Sequence, residues 1–114
     1  MAIVDAEKLM SQIQGDIDLL EQLRVLYLEE AADVMQKLRS GFNAQNHAAV
    51  RSEIHKLKGV LANFMIATPR ESLTQVVEVD PTQSESVEKA LDRLQTELNA
   101  IHDELIEIIK THPR

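Results

Sequence analysis

The residues of this chain best suited to chemistry are His55, Lys58 and Gly59. Residues three and four apart lie on the same side of an α-helix, so Lys58 and Gly59 would flank His55 on one face. An exposed imidazole is in good part unprotonated at neutral pH and is then a nucleophile. Lys58 would stabilise an anionic group placed on the ring, and the missing side chain of Gly59 would leave room for a partner. The spacing therefore indicates a histidine that carries an anionic group.

The apolar pattern around His55 predicts that its side chain faces solvent. Five apolar residues recur four and three apart, which is typical of the buried side of a helix: Val50, Ile54, Leu57, Leu61 and Phe64. Their mean direction lies about 140° around the helix from His55. Most residues within about 60° of His55 are small or cationic, and we expect them to form a binding face. The residues of this face are Ala48, Arg51, Ser52, Lys58, Gly59, Ala62 and Ile66.

No second catalytic group accompanies His55 in the sequence. The pattern contains no triad or dyad of the kind used in nucleophilic catalysis, and Glu53, two positions away, faces elsewhere. A phosphoryl acceptor needs only a nucleophile and a counter-charge when its partner brings the metal ion and the remaining chemistry. We therefore predict that His55 accepts a phosphoryl group, with Lys58 as its charge partner, and that the chain is not itself an enzyme.

The composition is that of one ordinary globular domain. The 114 residues are 44% apolar and 27% charged. No apolar run approaches the roughly 18 residues of a membrane span, and no signal-peptide pattern begins the chain. The absence of cysteine excludes disulfides and thiolate metal sites. We expect a cytoplasmic protein that does not contact a membrane, and the position of Met1 close to the first helix favours a free-standing protein.

The chain is acidic overall but basic around His55. A net charge of −7 argues against nucleic acid as a partner. Between residues 37 and 70, here called the basic zone, six basic residues accompany one acid, which leaves six basic residues and eighteen acids elsewhere. The basic residues of the zone are Lys37, Arg39, Arg51, Lys56, Lys58 and Arg70. The His55 region is thus a cationic island on an acidic protein, and the alternative interpretation is a chance fluctuation of charge on a surface helix.

The periodicity predicts an all-α fold, an antiparallel up-down four-helix bundle with an additional short N-terminal helix, in a single domain of residues 1–114. The predicted helices span about residues 5–14, 17–40, 46–67, 69–78 and 83–110. Gly15 and Gly41 are the predicted helix ends, and residues 68–71 read as a capping box with Thr68 as N-cap. The seam of the last helix leaves an alternative, a helical hairpin that dimerises; we expect a monomer.

The stretch Ile54-His55-Lys56-Leu57-Lys58-Gly59 resembles the signature of histidine-containing phosphotransfer (HPt) domains, His-x-Leu-Lys-Gly. The resemblance covers nearly the whole chain, including the short first helix, the long second helix and the long final helix. It implies a role in a multistep phosphorelay. His55 would accept a phosphoryl group from an aspartate of one receiver domain and pass it to an aspartate of another.

The resemblance also implies the partners and cofactors. The partners would be response-regulator receiver domains and a sensor or hybrid histidine kinase. The Mg²⁺ would belong to the receiver, so the chain itself would bind no metal and no cofactor. By the matching positions, Lys58 would be the charge partner of the phosphoryl group and Gly59 the residue that leaves room. The small, uncharged rim formed by Ala48, Ala62 and Ile66 would suit docking.

The sequence departs from the family pattern near the end of the third helix and on the fourth. Val60 and Leu61 follow the glycine where the family usually has small residues, and Met65 stands where it usually has glycine. Val77 falls where a glutamine is often found, and Gln75 lies on a different face. These departures favour an alternative hypothesis, a degenerate helical adaptor that binds receiver or kinase domains without phosphotransfer.

A third hypothesis is a helical bundle that binds a metal ion through histidines. The chain has four of them: His47, His55, His102 and His112. Metal sites in bundles use histidines and carboxylates paired at three- or four-residue spacing and facing inward. No two of these histidines have that spacing, so the sequence predicts no metal site.

Overall fold

The computed structural model describes residues 2–68 and 70–112, and these residues form five α-helices and no strand. The helices are α1 (Ala6–Gln12), α2 (Ile17–Asn43), α3 (His47–Ala62), α4 (Glu71–Glu78) and α5 (Ser84–Thr111). The all-helical fold class is as predicted. None of the helices in the described part of the chain is long and apolar enough to cross a membrane.

Side-chain caps fix the starts of the first three helices. The carboxylate of Asp5 accepts a hydrogen bond from the backbone of Lys8, and Asp16 does the same at α2. The Asn46 side chain caps α3. Each cap satisfies a backbone N–H that has no partner within its helix. The capping box predicted at residues 68–71 is wrong in its N-cap: Arg70 occupies that position without a side-chain hydrogen bond. Pro69, predicted inside this box, lies outside the described residues.

The third helix ends five residues earlier than predicted. Met65 adopts a left-handed backbone with φ 61°. The N–H of Ile66 then donates to the carbonyl of Leu61 at 3.2 Å, and the N–H of Met65 to that of Ala62 at 3.1 Å. These two bonds form a Schellman motif, which closes a helix even when the left-handed residue is not glycine. Apolar spacing continues past this point, so the periodicity gave no sign of the end.

Gly41 does not end α2, as predicted, but lies inside it. The helix continues to Asn43, and the left-handed residue that follows is Gln45, with φ 53°. A Cβ atom added at Gly41 would stand 3.0 Å from Cγ2 of Val50 on α3. The glycine is therefore required for close approach of α2 and α3, and not for a turn.

Four pairs of helices in the described part of the chain pack against each other, and together these pairs form a closed ring of α2, α3, α4 and α5. The α2 helix packs against α3 and α5, and α4 packs against α5 and α3. The α2 and α5 helices are antiparallel, because residue numbers rise along α2 as they fall along the facing part of α5. The Tyr27 hydroxyl donates to the Leu98 carbonyl at 2.7 Å, and Arg39 pairs with Glu88. Long helices paired in this way give the antiparallel bundle expected from the sequence.

The core holds the bundle together and orients α3. Tyr27 and Phe64 meet edge to face with ring centroids 5.5 Å apart, and burial raises the pKa of the Tyr27 phenol above its ordinary value. The predicted seam of α5 is buried along its whole length. Its members are Val87, Leu91, Leu94, Leu98, Ile101, Leu105 and Ile108. The Glu104 carboxylate on α5 accepts the backbone N–H groups of Ile3 and Val4, which ties the N-terminal segment to the bundle.

Candidate functional site

His55 lies in the middle of α3 and is exposed to solvent, as the periodicity predicted. The other side of α3 determines this orientation. Ile54, Leu57 and Leu61 are at most 2% exposed, and they face the core formed with the neighbouring helices. Because the helix is regular from His47 to Ala62, burying this apolar side turns the His55 side outward.

Six of the seven other residues predicted for the His55 face lie on it. Lys58 is half-buried, and five residues are exposed: Ala48, Arg51, Ser52, Gly59 and Ala62. The prediction for Ile66 is wrong, since this side chain is only 4% exposed and belongs to the core. The helical wheel that placed Ile66 beside His55 does not apply to it, because α3 ends at Ala62 and the backbone reverses at Met65.

Gly59 faces open space. A Cβ atom added there would meet no atom within 4 Å outside its own helix. No other helix of the described residues therefore packs tightly against Gly59. Glycine costs about 1 kcal/mol relative to alanine in a helix interior. Gly59 therefore lowers helix stability at a position where, among the described residues, it leaves free space beside His55.

Ion pairs engage four of the six basic residues in the basic zone. Lys37 and Lys56 share the carboxylate of Asp33 on α2, at 3.1 and 3.2 Å. Arg39 pairs with Glu88 at 2.9 Å, and Arg70 pairs with Glu97 at 2.9 Å. Hydrogen bonds from Lys37 and then Lys56 hold the pKa of the Asp33 carboxyl below its ordinary value.

The two remaining basic residues flank the histidine. Within residues 2–68 and 70–112, neither Arg51 nor Lys58 has a carboxylate within 4.0 Å. Arg51 precedes His55 by four residues and Lys58 follows it by three, so both lie on its face. The two cations of the basic zone that have no carboxylate partner among the described residues therefore lie on the His55 face. The Asp33–Lys37 pair lies within α2 at a spacing of four residues, whereas the other three pairs join residues far apart in the sequence.

No side chain of the described residues is hydrogen-bonded to the His55 ring. The hydrogen bond to Asp33 and the charge of Asp33 raise the pKa of Lys37, and the charge of Glu53 adds to this effect. One carboxylate oxygen of Glu53 is buried without a hydrogen-bond partner in the described part of the chain. Among these residues, no group of three histidine, cysteine or carboxylate side chains could hold a metal ion. His102 accepts a hydrogen bond from Arg24 at 3.0 Å, since a guanidinium can only donate.

The α4 side of the site offers an apolar residue where the family often has glutamine. Val77 is 44% exposed, although most large apolar residues of the chain are buried. Gln75 points along its own helix and donates to the Glu71 carboxylate at 3.2 Å. Arg51, Ser52 and Lys58 are the polar residues of α3 that share the His55 face. Sequence reasoning singled out Val77 only as a departure and missed the cavity that it lines.

Comparison with known families gives a match to the model of the Hpt domain over residues 22–104. The chain belongs to the Hpt domain family. The matched range contains His55, all of α3 and α4, and most of α2 and α5. No significant match appeared among curated proteins or among solved structures. Hpt domains are phosphoryl carriers of phosphorelays rather than catalysts, and they interact with receiver domains and histidine kinases.

Proposed function

We propose that this Hpt domain carries a phosphoryl group on His55 between two receiver domains. One observation above all supports the proposal: the exposed imidazole lies beside free space at Gly59 and between two cations that no carboxylate of the described residues neutralises. A nucleophile in this setting is accessible to a protein partner and is surrounded by charge opposite to that of a phosphoryl group.

In the transfer step, a ring nitrogen of His55 attacks the phosphorus of an aspartyl phosphate on the receiver. The N–P bond forms as the P–O bond to the aspartate breaks, and the aspartate leaves as a carboxylate. Transfer to the second receiver reverses these changes: the N–P bond breaks as a P–O bond to the aspartate of that receiver forms. Phosphoryl transfer depends mainly on alignment and on stabilising the charge of the equatorial oxygens. In the proposed complex Lys58 and Arg51 supply positive charge, the Ser52 hydroxyl can donate a hydrogen bond, and the receiver brings Mg²⁺.

The proposed partners are those of the Hpt domain family, and the charges of the site support them. A receiver domain presents a phosphorylated aspartate with its metal ligands, and this anionic surface complements Arg51 and Lys58. A sensor or hybrid histidine kinase stands upstream of the first receiver. We propose that the carrier acts as a monomer, because the α5 seam that would mediate dimerisation is buried within its own bundle. A cytoplasmic location, expected from the sequence, is part of the same proposal.

The test is phosphorylation by a receiver. The purified protein is incubated with Mg²⁺ and with each receiver domain of its host, phosphorylated beforehand. We expect an acid-labile label on the wild-type chain and none on His55→Gln, whose fold should be unchanged because His55 is exposed. Label that persists in His55→Gln, or a wild type that no receiver labels, would contradict the proposal.

A degenerate adaptor is the second candidate, and Val77 and Met65 favour it as departures from the family pattern. An adaptor would bind receivers through the same face without accepting the phosphoryl group. Receiver binding by both the wild type and His55→Ala, together with no label on the wild type, would support this candidate. Efficient transfer to His55 would exclude it.

A further inference from the structure

We propose that a cavity of about 320 Å³ between α3 and α4 receives one apolar side chain of the docked receiver domain. The inference rests on the proposed function, since it names a second contact of the same partner. Arg51 and His47 line the cavity on the α3 side, and Val76 and Val77 line it on the α4 side. Arg51 is thus shared between the cavity and the His55 face.

The lining of the cavity has an apolar part, which can receive an apolar side chain, and a polar part formed by His47 and Arg51. Val50 and Val76 are buried, at 4% and 1% exposure, whereas Val77 is 44% exposed. Covering such surface removes apolar area from water and is favourable. The volume lies at the small end of the range of ligand pockets, about 300–1,000 Å³. It therefore suits a single side chain of a partner rather than a helix or strand.

The position of the cavity indicates that the occupant belongs to the receiver. A standard protein interface buries about 800 Å² on each partner, which corresponds to a disc of roughly 16 Å radius. Arg51 lies one helical turn before His55, about 6 Å along the axis. A receiver whose interface of this size is centred on His55 therefore also covers the cavity.

Charge at the rim of the cavity supports the same partner. Arg51 has no carboxylate within 4.0 Å among the described residues, and His47 is exposed beside it. An acidic partner can neutralise Arg51 while its apolar side chain contacts Val77. We therefore expect cognate receivers to carry an apolar residue next to an acidic one at this contact.

A matched pair of substitutions, at Val77 and Val25, tests the inference. Val25 is about as exposed as Val77 but lies on α2 and does not line the cavity. Val25 is 42% exposed on the solvent side of α2, well around the helix from the buried Tyr27. The Lys56–Asp33 ion pair sets His55 about level with residue 34 of α2. Val25 is then about nine residues, or roughly 13 Å, farther along the bundle, in addition to the spacing between helices.

Binding of an unphosphorylated receiver domain with Mg²⁺ is measured by calorimetry for the wild type, Val77→Glu and Val25→Glu. We expect Val77→Glu to weaken binding at least tenfold and Val25→Glu to change it less than twofold. Val77→Leu, which keeps the apolar surface, should stay within about threefold of the wild type. Equal effects of the two glutamate substitutions would overturn the inference.

A second measurement needs no substitution and covers the case in which Val77→Glu does not fold. Titration of the receiver into isotope-labelled wild type should shift the amide signals of Val76, Val77 and Val79 and leave those of Val25 and Leu28 in place. Shifts at His55 without shifts at Val77 would contradict the inference. So would a dimer of this chain alone that Val77→Glu dissociates, because the occupant would then be a second copy.

The outcomes also separate the inference from the proposed function. If a receiver labels His55 but neither Val77→Glu nor the titration distinguishes the cavity, the inference fails and the phosphoryl carrier stands. If no receiver labels or binds the wild type, both fail.

Discussion

Gly41 and Gly59 are both helix-interior glycines, but they serve opposite purposes. At Gly41 a Cβ atom would press against Val50 at 3.0 Å, whereas at Gly59 it would meet no neighbour within 4 Å. The first glycine lets two helices approach, and the second leaves a surface open. The comparison teaches that a glycine inside a helix has no fixed meaning until its neighbours are known. In this molecule, Gly41 lies at a contact that stabilises the bundle, and Gly59 lies on the face that we propose to bind a partner.

The largest expected effect comes from filling the open position. Gly59→Leu should place a bulky side chain beside His55 and prevent close approach of the receiver aspartate. We expect the rate of phosphoryl transfer to fall about a hundredfold, since small displacements of reacting groups have effects of this size. Rates are measured by rapid quenching with a phosphorylated receiver. An unchanged rate would mean that the space at Gly59 has no role in transfer.

Removing one unpaired cation should have the next largest effect. Lys58→Ala takes away a charge that lies on the His55 face, and we expect transfer to slow about tenfold. Lys56→Ala is the matched control, because Lys56 is adjacent to His55 in sequence but pairs with Asp33 at 3.2 Å. The control should change the transfer rate less than threefold. A larger loss in the control would show that the ion pairs do not decide which cations act on the phosphoryl group.

Alanine at each glycine should change stability in opposite directions. Gly59→Ala should raise the free energy of unfolding by about 1 kcal/mol through helix propensity. Gly41→Ala should lower it by about 1 kcal/mol, because overpacking against the stiff, buried Val50 outweighs the same propensity gain. Urea unfolding followed by circular dichroism measures both. Stabilisation by Gly41→Ala would indicate that α3 moves away from α2 at little cost.

The smallest effect concerns the pH dependence of the bundle contact near His55. The pKa of Asp33 is lowered in the folded state by Lys37 and Lys56, so the carboxylate contributes stability above its unfolded pKa. This contribution is lost as pH falls through the lowered folded value. We therefore expect Asp33→Asn to reduce the steepness with which stability declines in acid. Thermal unfolding from pH 6 to pH 2.5 tests this, and parallel curves for both proteins would contradict it.

Much of the fold followed from local patterns. The apolar stripes of α2, α3 and α5 and the caps at Asp5, Asp16 and Asn46 act within a few residues of where they stand. Such patterns predict which helices form and which side of each is buried. They did not predict where α2 and α3 end, because apolar spacing continues through Gly41 and past Ala62. Tertiary packing and a left-handed Met65 decide those ends.

The sequence by itself determined that His55 faces solvent with Lys58 and Gly59 beside it. That result depends only on helical periodicity, which is a local property of the chain. Only the tertiary structure decided that Ile66 is buried, that Gly41 is a packing contact, and that Arg51 and Lys58 have no ion-pair partner in the described residues. It also opened the cavity beside Val77. Each of these depends on distances between helices, and no periodicity within one helix encodes them.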